Sequence, residues 1–131
     1  RRVRRLRHRG GMSHNTTLGR AGEQRAAEHL RDDGYAIVDR NWRCSDGEID
    51  LVVTRDDVLA IVEVKTRTSR RYGHPLEALD RAKIDRLWRL AMMWARTHPD
   101  IARGRRIRVD AVAVIGADPG SGSLEHLVAL S

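Results

Sequence analysis

A chain of 131 residues with a single cysteine and a formal charge of +7 is sized for one domain, and Cys44 alone excludes both an internal disulfide and a zinc cluster built on several thiolates. No stretch approaches the roughly 20 apolar residues that a bilayer span needs, and the Arg-rich beginning lacks the apolar run of a signal peptide. Six of the positive charges lie in residues 1–11, where no acid offsets them, so the remaining chain carries a net charge of only +1.

Residues 1–14 read as a basic, disordered N-terminal extension ahead of a domain at 15–131, with Met12 as the start of the functional protein. The functional alternative for the extension is a phosphate-binding arm. The lone thiol fits a reducing compartment, so a cytoplasmic location is expected.

From Leu18 to Asp33 the pattern is helical, with Ala26, Ala27 and Leu30 on one face and Gly34 as the stop. Glu23 falls on the same stripe. It is either an early-turn acid favoured by the helix dipole or a site residue. Tyr35–Arg43 then reads as a strand, and Cys44-Ser45-Asp46-Gly47 as a turn. Glu48–Thr54 is a second strand, with Ile49, Leu51 and Val53 on one face and Glu48, Asp50 and Val52 on the other. The chain returns through Val58–Thr66, which completes an antiparallel meander.

That return strand is apolar from Val58 to Val62 and is then interrupted by Glu63 and Lys65, which share a face. If Asp56-Asp57 is a two-residue loop, Arg55 faces Val58, Asp50 faces Glu63, and Glu48 faces Lys65. Directly opposed residues hold their Cβ atoms roughly 4.5–5.5 Å apart. Two carboxylates that close repel each other unless a cation or a shared proton intervenes.

Arg67–His74 forms a polar loop beside this point. Arg67, Arg70, Arg71 and Tyr72 are its candidate nucleic-acid contacts, joined by Lys83 on the next helix. Pro75 opens that helix. Leu76, Leu79, Ile84, Leu87, Trp88, Ala91, Trp94 and Ala95 keep helical spacing to Thr97, with a break near Asp80, and His98-Pro99 ends it. The tryptophans are read as core, not as stacking platforms for bases. Arg106–Ile115 is a strand, Gly116–Ser123 a loop, and Leu124–Leu130 a last edge strand. The order αβββαββ implies an α/β protein with a mixed central sheet flanked by helices.

Two or three carboxylates beside a lysine can hold Mg²⁺ or Mn²⁺ and act on a phosphodiester. The spacing of Asp50, Glu63 and Lys65 is a weak signal by itself, because a third of the chain is charged. Together with Glu23, however, the set resembles the PD-(D/E)XK, or restriction-endonuclease-like, superfamily. Leu18-Gly19-Arg20-Ala21-Gly22-Glu23, Gly47-Glu48-Ile49-Asp50-Leu51, Val62-Glu63-Val64-Lys65-Thr66-Arg67 and Tyr72-Gly73-His74-Pro75-Leu76-Glu77-Ala78 resemble, more closely, the YraN-like family of small bacterial proteins.

The resemblance implies a fold similar to archaeal Holliday-junction resolvases. It implies Asp50 and Glu63 as metal-binding acids, Lys65 as the catalytic lysine and Glu23 as the helical acid, counted as a third candidate metal ligand. A metal-dependent nuclease acting on branched or single-stranded DNA, as a homodimer, is the expectation that follows. Ile49 stands where the superfamily's name-giving proline would be, and Arg81 where many relatives carry proline. A non-catalytic nucleic-acid-binding module, or an adaptor protein with a buried ion-pair network, are the alternatives.

Overall fold

The computed structural model describes the backbone at residues 13–69, 71 and 73–131, and side chains from Thr17 onward. The basic extension therefore lies largely outside the described residues, as do Arg70 and Tyr72. The elements are α1 (Ser13–Asp32), β1 (Ala36–Cys44), β2 (Gly47–Arg55), β3 (Val58–Arg67), α2 (Arg81–Thr97), a short α3 (Pro99–Ala102), β4 (Arg106–Ile115) and β5 (Ser123–Leu127). Single 3₁₀ turns occupy Pro75–Ala78 and Pro119–Ser121.

The five strands lie in the order β1-β2-β3-β4-β5. β3 and β4 pair in parallel and every other pair is antiparallel. A parallel pair needs a long crossover, which α2 supplies. The expected mixed α/β architecture, with helices on both faces, is what the chain adopts. Ala26, Ala27 and Leu30 of α1 pack on one face of the sheet against Leu51, Val53, Ala60, Val62, Val112 and Val114. Leu87, Leu90, Ala91 and Trp94 of α2 pack on the other face against Val52, Leu59, Ile61 and Val109. Strands β3 and β4 are covered on both sides, which is why they read as nearly continuous apolar runs.

The anticipated break at Asp80 is real and has a mechanism. Asp80 takes extended backbone angles, and its side chain accepts a hydrogen bond from the Lys83 N–H, so it caps α2. Trp94 is fully buried and donates its indole N–H to Asp39, while Trp88 donates to the Leu130 carbonyl. Trp94 is a core residue, as its spacing indicated, and Trp88 is half-buried against the same cluster. The last strand stops at Leu127, three residues short of the expected Leu130. Ala129 adopts φ 62°, and the turn lets the Leu130 N–H reach the Val109 carbonyl.

Candidate active site

The β2–β3 register follows the two-residue loop as expected from Arg55↔Val58 to Leu51↔Val62. There the ladder ends. Asp50 does not continue it as a partner of Glu63. Its side chain instead accepts a hydrogen bond from the Val64 N–H at 2.8 Å, filling the place of a ladder bond. The expected pairing of Glu48 with Lys65 is absent for the same reason. Glu48 sits 3.8 Å from Arg43 of β1, and Lys65 Nζ sits 3.2 Å from Glu63 Oε2.

The side-chain alternation of β2 breaks at the same point. Leu51 and Val53 face α1, but Ile49, which strict alternation would put beside them, packs with the α2 cluster. The irregularity turns Asp50 into the gap between strands, where it meets acids from both sides. Burial, then the charge of Glu63, then those of Glu23 and Glu48, push its pKa up to about 8, against the opposing effect of the Val64 N–H. Glu23 is raised too, mainly by burial, although hydrogen bonds from Asn41 and with Asp50 oppose the rise. The four residues Glu23, Asp50, Glu63 and Lys65 are thus one electrostatic neighbourhood drawn from α1, β2 and β3.

Docking of α1 against β3 depends on Gly22. A Cβ there would lie 1.9 Å from Thr66 Oγ1, one residue beyond Lys65. Gly22→Ala is therefore expected to push the helix off the strand and to destabilise the fold by about 1–3 kcal/mol, read as a lower urea midpoint.

The loop residues are less concentrated. Arg67 ends β3, is exposed, and donates to its neighbour's carbonyl at Thr66. It borders an open hollow of about 300 Å³ with Ser69, Gly73, His74, Pro75, Glu77 and Ala78. Arg71 is exposed, and its N–H bonds to Ser69 Oγ. Lys83 belongs to the first turn of α2. His74 fastens the loop: Nδ1 accepts from the Leu76 N–H, so Nε2 carries the proton it gives to Glu125 at 2.7 Å.

A second polar cluster escaped the sequence reading. Asp110 of β4 is fully buried on the α1 side of the sheet. It accepts from Arg108 at 2.9 and 2.8 Å, from the Ala129 N–H at 3.0 Å, and pairs with His126 Nε2 at 2.9 Å. Arg108 also donates to the Tyr35 hydroxyl. Burial favours the neutral acid, but these bonds outweigh it and hold the Asp110 carboxyl below its usual range. The available signal was Arg-x-Asp inside an otherwise apolar strand, with a histidine in the strand that follows.

Among the described residues, no three His, Cys, Asp or Glu side chains converge as a ready-made metal cage. Mg²⁺ is often held by one or two carboxylates with the rest of its shell as water. The all-oxygen donor set of Asp50, Glu63 and Glu23 fits such a hard cation, and their mutual repulsion is what a cation would relieve.

A five-stranded mixed sheet between two helical layers, with crowded carboxylates and a lysine where β2 and β3 part, makes this an α/β protein consistent with a nuclease-like fold. The chain belongs to the uncharacterised protein family UPF0102, whose model matches residues 22–114. This is the family to which the four sequence blocks pointed. A UPF0102 protein of Clavibacter michiganensis is 50% identical over 114 residues, covering 87% of this chain and 95% of its own. Another, from Paenarthrobacter aurescens, is 54% identical over 110 residues, covering 84% and 89%. Among solved structures, Pyrococcus furiosus SfsA in complex with Ca²⁺ matches with a TM-score of 0.39 and 16% identity. That match covers 88% of this chain and 64% of the other. It is not a Holliday-junction resolvase, and the likeness is too distant to carry an argument. No described helix is long and apolar enough to cross a membrane.

Proposed function

We propose that the protein is a metal-dependent nuclease that hydrolyses phosphodiester bonds of DNA, with Mg²⁺ or Mn²⁺ at Asp50, Glu63 and Glu23. The observation that carries this reading is Asp50. It is a half-buried acid whose ionisation is opposed by burial and by Glu63, Glu23 and Glu48, and whose charged form a bound cation would favour. A bound Mg²⁺ or Mn²⁺ offsets phosphate charge and lowers the pKa of the water it carries.

The chain's own groups supply the rest. Asp50 would release its proton to solvent when a cation is held there, and the Val64 N–H keeps its carboxylate oriented. Glu23, beside Asp50, would complete the carboxylate set that holds the cation. Lys65 exchanges its contact with Glu63 for the phosphate oxygens and stabilises the charge that builds there. Arg67, Arg70, Arg71, Tyr72 and Lys83 hold the flanking backbone. A cytoplasmic location, branched or single-stranded substrates, and a homodimer that makes paired cuts belong to the same reading.

The test is cleavage of junction, flap and single-stranded DNA by the purified protein with Mg²⁺ or Mn²⁺. Glu63→Ala is expected to lower the rate by roughly 10²–10³. Unchanged activity in that variant would overturn the assignment. Non-catalytic nucleic-acid binding is the competing reading. It is favoured by the Glu63–Lys65 ion pair, which already satisfies two of the four groups. Binding without turnover under either metal would select it.

A further inference from the structure

Strand β1 breaks the rule that successive side chains point to opposite faces. Asp39 reaches Trp94 of α2, on one side of the sheet. Arg40 then reaches Gln24 of α1, on the other. Regular alternation would return Asn41 to the α2 side. Instead Asn41 also points to α1, where its Nδ2 donates to Glu23 Oε1 at 3.0 Å. Trp42 goes back to the α2 cluster.

The device that allows two consecutive residues to reach one helix is the backbone of Asn41, at φ 51° in the left-handed region. Asparagine tolerates that region better than any other residue with a side-chain donor of this reach. Residues held there without being glycine persist where the surroundings over-determine them, and they cluster at functional sites. The partner strand is irregular at the matching level. Arg40 pairs with Leu51 and Trp42 with Ile49, so Asn41 lies opposite Asp50, where β2 leaves its own alternation. Two coincident irregularities on adjacent strands bring Asn41, Glu23 and Asp50 to one point.

We propose that Asn41 is a positioning residue for the hydrolytic site: its left-handed backbone aims the side-chain amide at Glu23 and holds that carboxylate against Asp50. This rests on the hydrolase reading above and adds to it a fifth residue, from an edge strand, that touches neither substrate nor metal. The amide leaves one oxygen of Glu23 engaged and orients the other. Hydrogen bonds that fix a ligand in this way typically contribute 10–100-fold to metal affinity or activity.

The variant Asn41→Gly keeps the backbone at positive φ and removes only the amide. It is compared with wild type, with Glu23→Gln and with the double variant, reading Mn²⁺ affinity by calorimetry together with kcat and KM for DNA. Asn41→Gly is expected to weaken Mn²⁺ binding and lower kcat by roughly 10–100-fold with KM for DNA unchanged. On a Glu23→Gln background it is expected to have almost no further effect, because the group it positions is already altered. A merely structural role would lower the melting temperature of Asn41→Gly and leave its Mn²⁺ affinity and kcat at the wild-type level. Effects that add, or an Asn41→Gly protein indistinguishable from an active wild type, would overturn the proposal. A wild type that neither binds Mn²⁺ nor cuts DNA would overturn the hydrolase reading on which it rests.

Discussion

Replacing Asp50 by asparagine is expected to abolish cleavage and, in the same protein, to raise the melting temperature of the metal-free chain. The isosteric amide keeps an oxygen for the Val64 N–H but cannot ionise among Glu63, Glu23 and Glu48. In the folded wild type this carboxyl is pushed up to about 8, against an ordinary value of about 3.9 in the unfolded chain. The folded state therefore binds the proton more tightly. The stability this provides is complete below pH ~4 and is lost as pH rises through 8. The variant should melt higher than wild type at pH 8–9, by on the order of 5 °C, with the gap narrowing towards pH 5. Saturating Mn²⁺ should reverse the order by stabilising wild type alone. A variant that melts lower at pH 9, or still cuts DNA at the wild-type rate, would contradict the role given to Asp50.

Asp110→Ala carries the largest expected loss of stability. It removes the shared acceptor of Arg108, His126 and the Ala129 N–H from a fully buried point. Breaking a buried ion pair from one side typically costs about 3–5 kcal/mol, because the partners stay buried without compensation. Urea denaturation should show the midpoint falling accordingly with little change in slope. Since the folded Asp110 carboxyl lies below its ordinary range, its contribution is present above pH ~4 and disappears as pH falls through the folded value. Wild type and variant should therefore converge in strong acid. A variant as stable as wild type at pH 7 would show the cluster to be dispensable.

Local chemistry made much of this architecture readable in advance. The Asp56-Asp57 turn set the register of β2 on β3 down to Leu51 and Val62, and the break near Asp80 was legible, although Pro75, read as opening the helix, opens only a 3₁₀ turn and α2 starts at Arg81. Those features are written in neighbouring residues. The departures arise where distant groups decide. Ile49, Leu51 and Val53 alternate in sequence and so read as one face, yet Ile49 is drawn across to α2 because Asp50 leaves the ladder for the Val64 N–H. Nothing in the residues around Asn41 reveals that its backbone is left-handed; the reason is Glu23, eighteen residues earlier on a helix. Asp110 showed in the sequence only as an acid interrupting an apolar strand, and its role was hidden for the same reason. Its partners come from β5, from the turn after Leu127 and, through Arg108, from Tyr35.

The parallel pairing of β3 with β4 joins residues 58–67 to residues 106–115, across the whole helical crossover. All four charged groups of the candidate site precede that crossover, and the meander bearing Asp50, Glu63 and Lys65 forms from local contacts. Closing the sheet must wait for partners 48 residues away, a contact whose loop-closure cost slows folding. During synthesis, a nascent chain that has emerged only as far as α3 therefore carries the run Val58-Leu59-Ala60-Ile61-Val62 with one edge bare. Such an edge is a template for unwanted strand addition, and the interval before β4 arrives is when this protein is most exposed to aggregation.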